Sequence, residues 1–220
     1  MSFSTEWDEA YRHNEQMSIW PWSDLISYVY RYTEAAKRSE LKVLELGCGA
    51  GANIRFFSEL HADYHACDGS AFIIDKLKTI YPQYASNLVA ADFTDKLPFG
   101  TRFEVIFDRG ALTHNNTDGI KKTITNVLDL LEDGGIYIGI DWFSVNHDDS
   151  VLGEFIDEHT RMMGKVGGQF DHIGQVHFSD ASHLKDLFKD FNLEVLQEKV
   201  VKTYLPKEHR FASWNFVARK

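Results

Sequence analysis

The chain has 220 residues, 44% of them hydrophobic and 25% charged, a balance suited to one soluble domain that buries its own core. Its net charge of −10 repels phosphate backbones and anionic lipid, so neither nucleic acid nor a membrane is expected as a partner. No apolar run approaches the ~20 residues that span a bilayer, Met1–Asp8 lacks the basic and apolar regions of a signal peptide, and Cys48 and Cys67 suit a reducing compartment, so a cytoplasmic location is expected.

Residues 1–40 hold Trp7, Tyr11, Trp20, Pro21 and Trp22. A helical pattern follows, with Leu25, Ile26, Val29, Tyr30 and Tyr32 inside and Ser23 or Asp24 as its cap. Leu41–Leu46 reads as a buried strand, followed by a turn with Gly47, Gly49 and Gly51 and a helix ending at Leu60. Asp63–Cys67 reads as a second strand, Ala71–Tyr81 as a helix stopped by Pro82, Asn87–Ala91 as a third strand and Phe103–Phe107 as a fourth. Ile120–Leu131 has helical spacing, and Glu132-Asp133-Gly134-Gly135 turns the chain into a fifth strand, Ile136–Ile140. Residues 142–179 are irregular, with a short helix expected over Val151–Met162. Asp180 caps a further helix with Leu184, Leu187 and Phe188 inside. Leu193–Val201 and Phe211–Ala218 then close the chain as strands spaced for an antiparallel pair. Alternating strands and helices call for an α/β fold, a mainly parallel sheet with helices on both faces.

Glu45, Asp68, Asp92, Asp108 and Asp141 each stand at or just after the carboxyl end of an expected strand. Open α/β sheets bind ligands at that edge, near the reversal of strand order. Asp68 lies 21 residues beyond Gly47, about the spacing at which an acid meets ribose hydroxyls. The turn is G-x-G-x-G, with Ala52 where a dinucleotide fingerprint has its third glycine. Glu45 beside this loop disfavours a pyrophosphate and suits a ligand with an ammonium and a sulfonium. A nicotinamide-dependent oxidoreductase is the competing reading.

Five stretches together carry a resemblance: Leu44-Glu45-Leu46-Gly47-Cys48-Gly49-Ala50-Gly51, Cys67-Asp68-Gly69-Ser70, Ala91-Asp92-Phe93, the run from Phe107 to His114, and Leu131-Glu132-Asp133-Gly134-Gly135. Over roughly residues 41–141 the chain resembles the class I S-adenosylmethionine-dependent methyltransferases, and over the closing strands more loosely. The resemblance implies a Rossmann-like seven-stranded, mostly parallel sheet with an antiparallel C-terminal hairpin and helices on both faces. It implies S-adenosyl-L-methionine as cofactor and S-adenosyl-L-homocysteine as product. Gly47, Cys48, Gly49, Gly51 and Asn53 would lie along the methionine and ribose, and Glu45 would orient the amino group. Asp68 would hold the ribose hydroxyls with Gly69 and Ser70 beside it, and Asp92 and Phe93 would read the adenine. Asp108 and Arg109 would face the methionine end. For Arg109, a bond to the methionine carboxylate and a structural ion pair stand as alternatives.

In the same resemblance residues 1–40 form a helical lid of a single domain spanning 1–220, with Tyr11, Met17, Trp20 and Trp22 over the site. The alternative is a helix packed on the sheet through aromatic residues. Residues 142–179 are the variable, acceptor-side insertion.

Methyl transfer is an in-line displacement for which alignment and exclusion of water supply much of the catalysis, so a dedicated base is not required. Candidate acceptor-side residues are His114, Asp141, Trp142, His147, His172 and His177, with His114 and Asp141 as the catalytic pair and Tyr11 touching substrate. Helix capping by His114 is the alternative. The spacing of His172, His177 and Asp141 matches no metal signature, and no metal is expected. No Asn-Pro-Pro-Tyr motif follows the fourth strand, which points to O- or N-methylation of a small polar molecule. Arg109, Arg161, Lys165 and Lys202 are candidates for an anionic acceptor. A non-catalytic S-adenosylmethionine-binding regulator is the third reading, and a monomer or homodimer is expected.

Overall fold

The computed structural model describes residues 5–15, 17–34 and 40–220. Strands β1 (Lys42–Leu46), β2 (Asp63–Asp68), β3 (Leu88–Ala90), β4 (Phe103–Arg109), β5 (Leu131–Phe143), β9 (Asn192–Thr203) and β10 (His209–Arg219) build one sheet. Their order is β3-β2-β1-β4-β5-β10-β9. The first five run parallel, and β10 lies antiparallel to both β5 and β9. The chain steps outward from β1 to β3, then returns to β4 on the far side of β1. The reversal therefore lies between β1 and β4, where their carboxyl ends open a crevice.

Two apolar layers cover the sheet. Helices α2 (Ser23–Tyr32), α3 (Ile54–Glu59) and α4 (Ala71–Ile80) pack Leu25, Val29, Phe57 and Ile74 against Val43, Tyr64, Val105, Phe107 and Ile138. Helices α5 (Thr117–Leu130) and α6 (Ala181–Leu187) pack Ile120, Val127 and Leu184 against Leu44, Leu46, Ile106, Tyr137 and Trp142 on the other face. Side chains alternate between faces along a strand, so Val43 and Glu45 share the first face while Ile106 and Asp108 share the second.

Side-chain caps hold the helix starts where the sequence offers them. Ser70 Oγ accepts from the Ile73 amide at 3.2 Å, Asn116 from Gly119 at 2.9 Å and Asp180 from His183 at 2.8 Å. The start of α2 corrects the expected cap. Trp22 is the capping residue, with no side-chain bond, and Asp24 instead pairs with Lys199 and accepts from Asn215.

The expected helix over Val151–Met162 is also corrected. Gly153 takes φ +79°, and a Cβ there would sit 2.5 Å from the Met162 carbonyl oxygen, so the chain folds back on itself. Strands β6 (Glu154–Phe155), β7 (Thr160–Met163) and β8 (Gly174–His177) form a small antiparallel sheet beside the main one. The described N-terminal part contains α1 (Thr5–Arg12), which packs on α4. Among the described residues no helix is long and apolar enough to cross a membrane.

Candidate active site at the carboxyl edge of the sheet

A cavity of about 430 Å³ opens at the carboxyl ends of β1, β2, β4 and β5, covered by Trp7 and Tyr11 of α1 and by Met17 and Trp22. Its floor comes from the turn after β1, where Gly47, Cys48, Gly49, Ala50, Ala52 and Asn53 all line it. Gly47 sits at φ +71°, and a Cβ on it would stand 2.4 Å from Ala111 Cβ, so the turn after β4 closes directly onto the turn after β1. A Cβ on Gly49 would stand 3.0 Å from the Tyr11 hydroxyl, which roofs the same turn. Gly51 does not line the cavity. It is confined by packing, with its Cβ position 2.7 Å from Leu77 and 2.9 Å from Ile54.

Asp68 lines the cavity and is 4% exposed. Its two oxygens accept from the Gly49 and Ser70 amides, each at 2.9 Å, so the acid fixes both neighbouring turns. Burial raises its pKa against those bonds. Gly69 lines the cavity; Ser70 does not, being used as the α4 cap and as a donor to Asp8. Asp92 and Phe93 line the next stretch, and Asp92 accepts from the Thr94 amide at 2.9 Å. Glu45 lines the wall, accepting from Asn53 at 2.8 Å and from the Tyr64 hydroxyl. Burial pushes its pKa up to about 8 against those two bonds.

Asp108 lies elsewhere. It is fully buried on the opposite face of the sheet, outside the cavity, and accepts from the Tyr137 hydroxyl, Trp142 Nε1 at 2.7 Å, and the Ala111 and Leu112 amides at 2.9 and 3.0 Å. Burial pushes its pKa to about 6. It shapes the rim by holding the turn that carries Ala111, and strand alternation is the reason it cannot face the ligand. Trp142, expected at the substrate, is its partner and is likewise outside the cavity.

Arg109 lines the cavity with its guanidinium 3.5 Å from the Trp22 ring centre and its Nε and Nη2 at 3.1 and 3.0 Å from Asp141 Oδ2. Of the two readings left open for Arg109, the ion pair is formed. Asp141 also accepts from Ser213 Oγ at 3.2 Å and lies 3.6 Å from Lys199, so its oxygens are committed to neighbours. It has φ +53°, which breaks the alternation of β5.

His114 lines the cavity between Trp7 and Phe143. Its Nδ1 lies 3.2 Å from the Gln175 carbonyl oxygen, and burial pushes its pKa down to about 4. Four other expectations place residues where the cavity is not, and His147 is one of them, its ring buried against Phe170 and Phe211. Trp20 is 64% exposed under Arg55. His172 is exposed, and His177 is buried between Thr160 Oγ1 at 3.0 Å and His183 Nε2 at 3.1 Å. His172, His177 and Asp141 therefore do not converge.

A different trio does. Ligand atoms of His147, Asp149 and His209 lie within 4.8 Å of one another. The Asp149 amide donates to His147 Nδ1 at 3.0 Å, which leaves the neutral ring's proton on Nε2 and no lone pair there for a metal. Asp149 Oδ2 accepts from the Gln169 amide at 2.6 Å and so carries the loop that brings Gln169 and Phe170 to the cavity.

Residues that the sequence did not single out complete the acceptor side: Asn115, Phe143, Gln169, Phe170, Ile173 and Phe211. They come from four separate segments. Phe170 and Phe211 stand as lone aromatics in polar stretches, a signal that marks no common site without the tertiary fold.

Residues 43–135 match the model of the family described as methyltransferase domain. That match spans 93 of the 220 residues. The sheet order and the antiparallel closing hairpin match the Rossmann-like fold of S-adenosylmethionine-dependent methyltransferases. A methyltransferase of this kind from Methanosarcina mazei superposes with a TM-score of 0.68 at 15% identity, covering 91% of this chain and 98% of that one. The N-methyltransferase NodS from Bradyrhizobium japonicum, solved with S-adenosyl-L-homocysteine, superposes with a TM-score of 0.64 at 13% identity, covering 99% of each. The 1,6-didemethyltoxoflavin-N1-methyltransferase from Burkholderia thailandensis gives 0.58 at 17% identity, covering 90% of this chain and 86% of that one. These are likenesses of fold. No curated protein sequence matches the chain.

Proposed function

We propose that this protein is an enzyme that methylates a small molecule at oxygen or nitrogen, with S-adenosyl-L-methionine as donor. The supporting observation is the glycine-turn half of the cavity, where bare peptide from residues 47–49 meets Glu45, Asp68 and Asp92 on one rim. The donor set suits the cofactor: the acids present acceptors where an ammonium, a ribose diol and an adenine amino group need them, and the glycine turn lets backbone approach closely. When bound, the cofactor supplies a methyl carbon activated by positive sulfur.

In this reading Asp68 accepts from the ribose hydroxyls while the Gly49 and Ser70 amides hold its carboxylate in place. Asp92 accepts from the adenine amino group beside Phe93. Glu45, through Asn53, faces the methionine amino group. Tyr11, Met17 and Trp22 cover the site and keep water out. The Arg109–Asp141 pair stiffens the rim where β4 and β5 end. His114 is neutral at pH 7 and offers the Nε2 lone pair to a donor on the acceptor. Its pKa of about 4 makes it an orienting group more than a strong base.

Calorimetry with S-adenosyl-L-homocysteine tests the reading. Binding is expected, and Asp68→Ala should weaken it by about 1–3 kcal/mol through lost ribose bonds. No binding at millimolar concentration, or an Asp68→Ala affinity equal to wild type in a folded protein, would overturn the assignment.

A further inference from the structure

The acceptor side of the cavity narrows the substrate class. The charged residues lining the cavity are Glu45, Asp68, Asp92, Arg109 and Asp141. The first three belong to the glycine-turn half, and the last two pair with each other at 3.0 Å. Arg161, Lys165 and Lys202, the sequence candidates for an anionic acceptor, do not line it. An ionised acceptor would thus leave water and find no free protein counter-charge among the described residues.

What the acceptor would meet is aromatic. Phe143 and Phe170 have ring centres 4.5 Å apart, Phe211 stands edge-on to Phe143 at 6.3 Å, and Ile173 fills in beside them. His114 is set edge-on between Trp7 at 4.9 Å and Phe143 at 5.9 Å. The Gln175 carbonyl can only accept, so His114 Nδ1 carries the ring proton and Nε2 keeps its lone pair. No hydrogen bond from another described side chain occupies that nitrogen.

We infer that the methyl acceptor is an uncharged aromatic or heteroaromatic compound whose ring packs against the cavity-facing edges of Phe143, Phe170 and Phe211, with His147 filling the space behind them, and whose O–H or N–H donates to His114 Nε2. The inference rests on the methyltransferase reading above. In the transfer, the acceptor heteroatom's lone pair forms the bond to the methyl carbon as the carbon–sulfur pair returns to sulfur. The heteroatom's proton departs to solvent, and His114 holds the O–H or N–H direction until then.

The test measures binding on the full chain saturated with S-adenosyl-L-homocysteine, by calorimetry and saturation-transfer NMR. The probes are phenol, benzoate and benzylamine, matched in size and differing in charge. Phenol is expected to bind about tenfold or more tightly than either ion. Phe170→Ala should weaken phenol by a similar factor and leave S-adenosyl-L-homocysteine affinity within about twofold. Benzoate or benzylamine binding as tightly as phenol overturns the inference, as does exclusion of phenol from the saturated protein. The ligand comparison needs only the wild-type chain, so a poorly folded variant does not decide the matter. Failure of S-adenosyl-L-homocysteine to bind overturns the underlying reading and this inference with it; binding of that product without phenol overturns this inference alone.

Discussion

The two halves of the cavity rim are assembled on different principles. The glycine-turn half comes from the loops following β1, β2 and β3, and its key bonds, such as Gly49 to Asp68 and Ser70 to Asp68, span short stretches of chain. The acceptor half draws on β5, the small β6–β8 sheet, and the start of β10. Its anchors reach across the sequence, as where His114 meets Gln175 and Asp141 meets Ser213. A site that must grip one constant ligand can be encoded locally. A site that must suit a particular acceptor is shaped by segments that only tertiary packing brings together.

The largest expected effect tests the anchor of the acceptor half. Asp108→Ala leaves the Tyr137 hydroxyl, Trp142 Nε1 and two amides without their acceptor, so stability should fall by about 3–5 kcal/mol in urea unfolding. A loss under about 1 kcal/mol would mean those donors find other partners and the comparison is drawn in the wrong place.

Glycine substitutions sharpen the other half. Gly51 and Gly134 share nearly the same backbone, φ +79° and +78°, but a Cβ on Gly51 meets Leu77 and Ile54 while one on Gly134 meets nothing within 4 Å. Gly51→Ala should cost about 2–4 kcal/mol and Gly134→Ala about 1–2 kcal/mol, the second being the left-handed backbone alone. Equal losses would show that packing around the turn contributes nothing.

Stability against pH should carry opposite signs from the buried histidines and from Glu45. Burial holds His114 near 4 against an ordinary 6.5 and lowers the His177–His183 pair as well. The unfolded chain takes up these protons below 6.5 while the folded chain does not, so this contribution is lost as pH falls from 6.5 towards 4. Glu45 behaves oppositely: its folded value of about 8 lies above the ordinary 4.5, so its contribution is full below 4.5 and declines as pH rises through 8. Urea midpoints from pH 4 to 8 should flatten on the alkaline side in Glu45→Gln and on the acid side in His183→Gln. Profiles parallel to wild type in both variants would rule out the titration assignments.

The smallest effect is expected at Lys199, which reaches Asp24 and Asp141 from a half-exposed position. Lys199→Met should change stability by less than about 1 kcal/mol, because solvent screens the pair. A larger loss by thermal unfolding would move this pair from the surface into the structural frame of the acceptor half.

Much of the glycine-turn half was legible in the residues. Alternation of apolar and polar positions, the spaced glycines and the acids after successive strands are local signals, and the strands formed close to where they were read. The face of Asp108 was also legible, since Ile106 and Asp108 must share a side, although its place at a strand end does not by itself show which face it takes. Gly153 inside the expected helix was a warning of the reversal that makes β6 and β7.

The sequence by itself determined the order of strands and helices, the turn that must be glycine and the buried alternation of the sheet, because each depends on residues near one another in the chain. The tertiary structure alone decided that Asp141 turns out of register, that Phe143, Phe170 and Phe211 face one space, and that His114 keeps Nε2 free. Those outcomes depend on which distant backbone group meets each side chain, and no local periodicity encodes such a meeting.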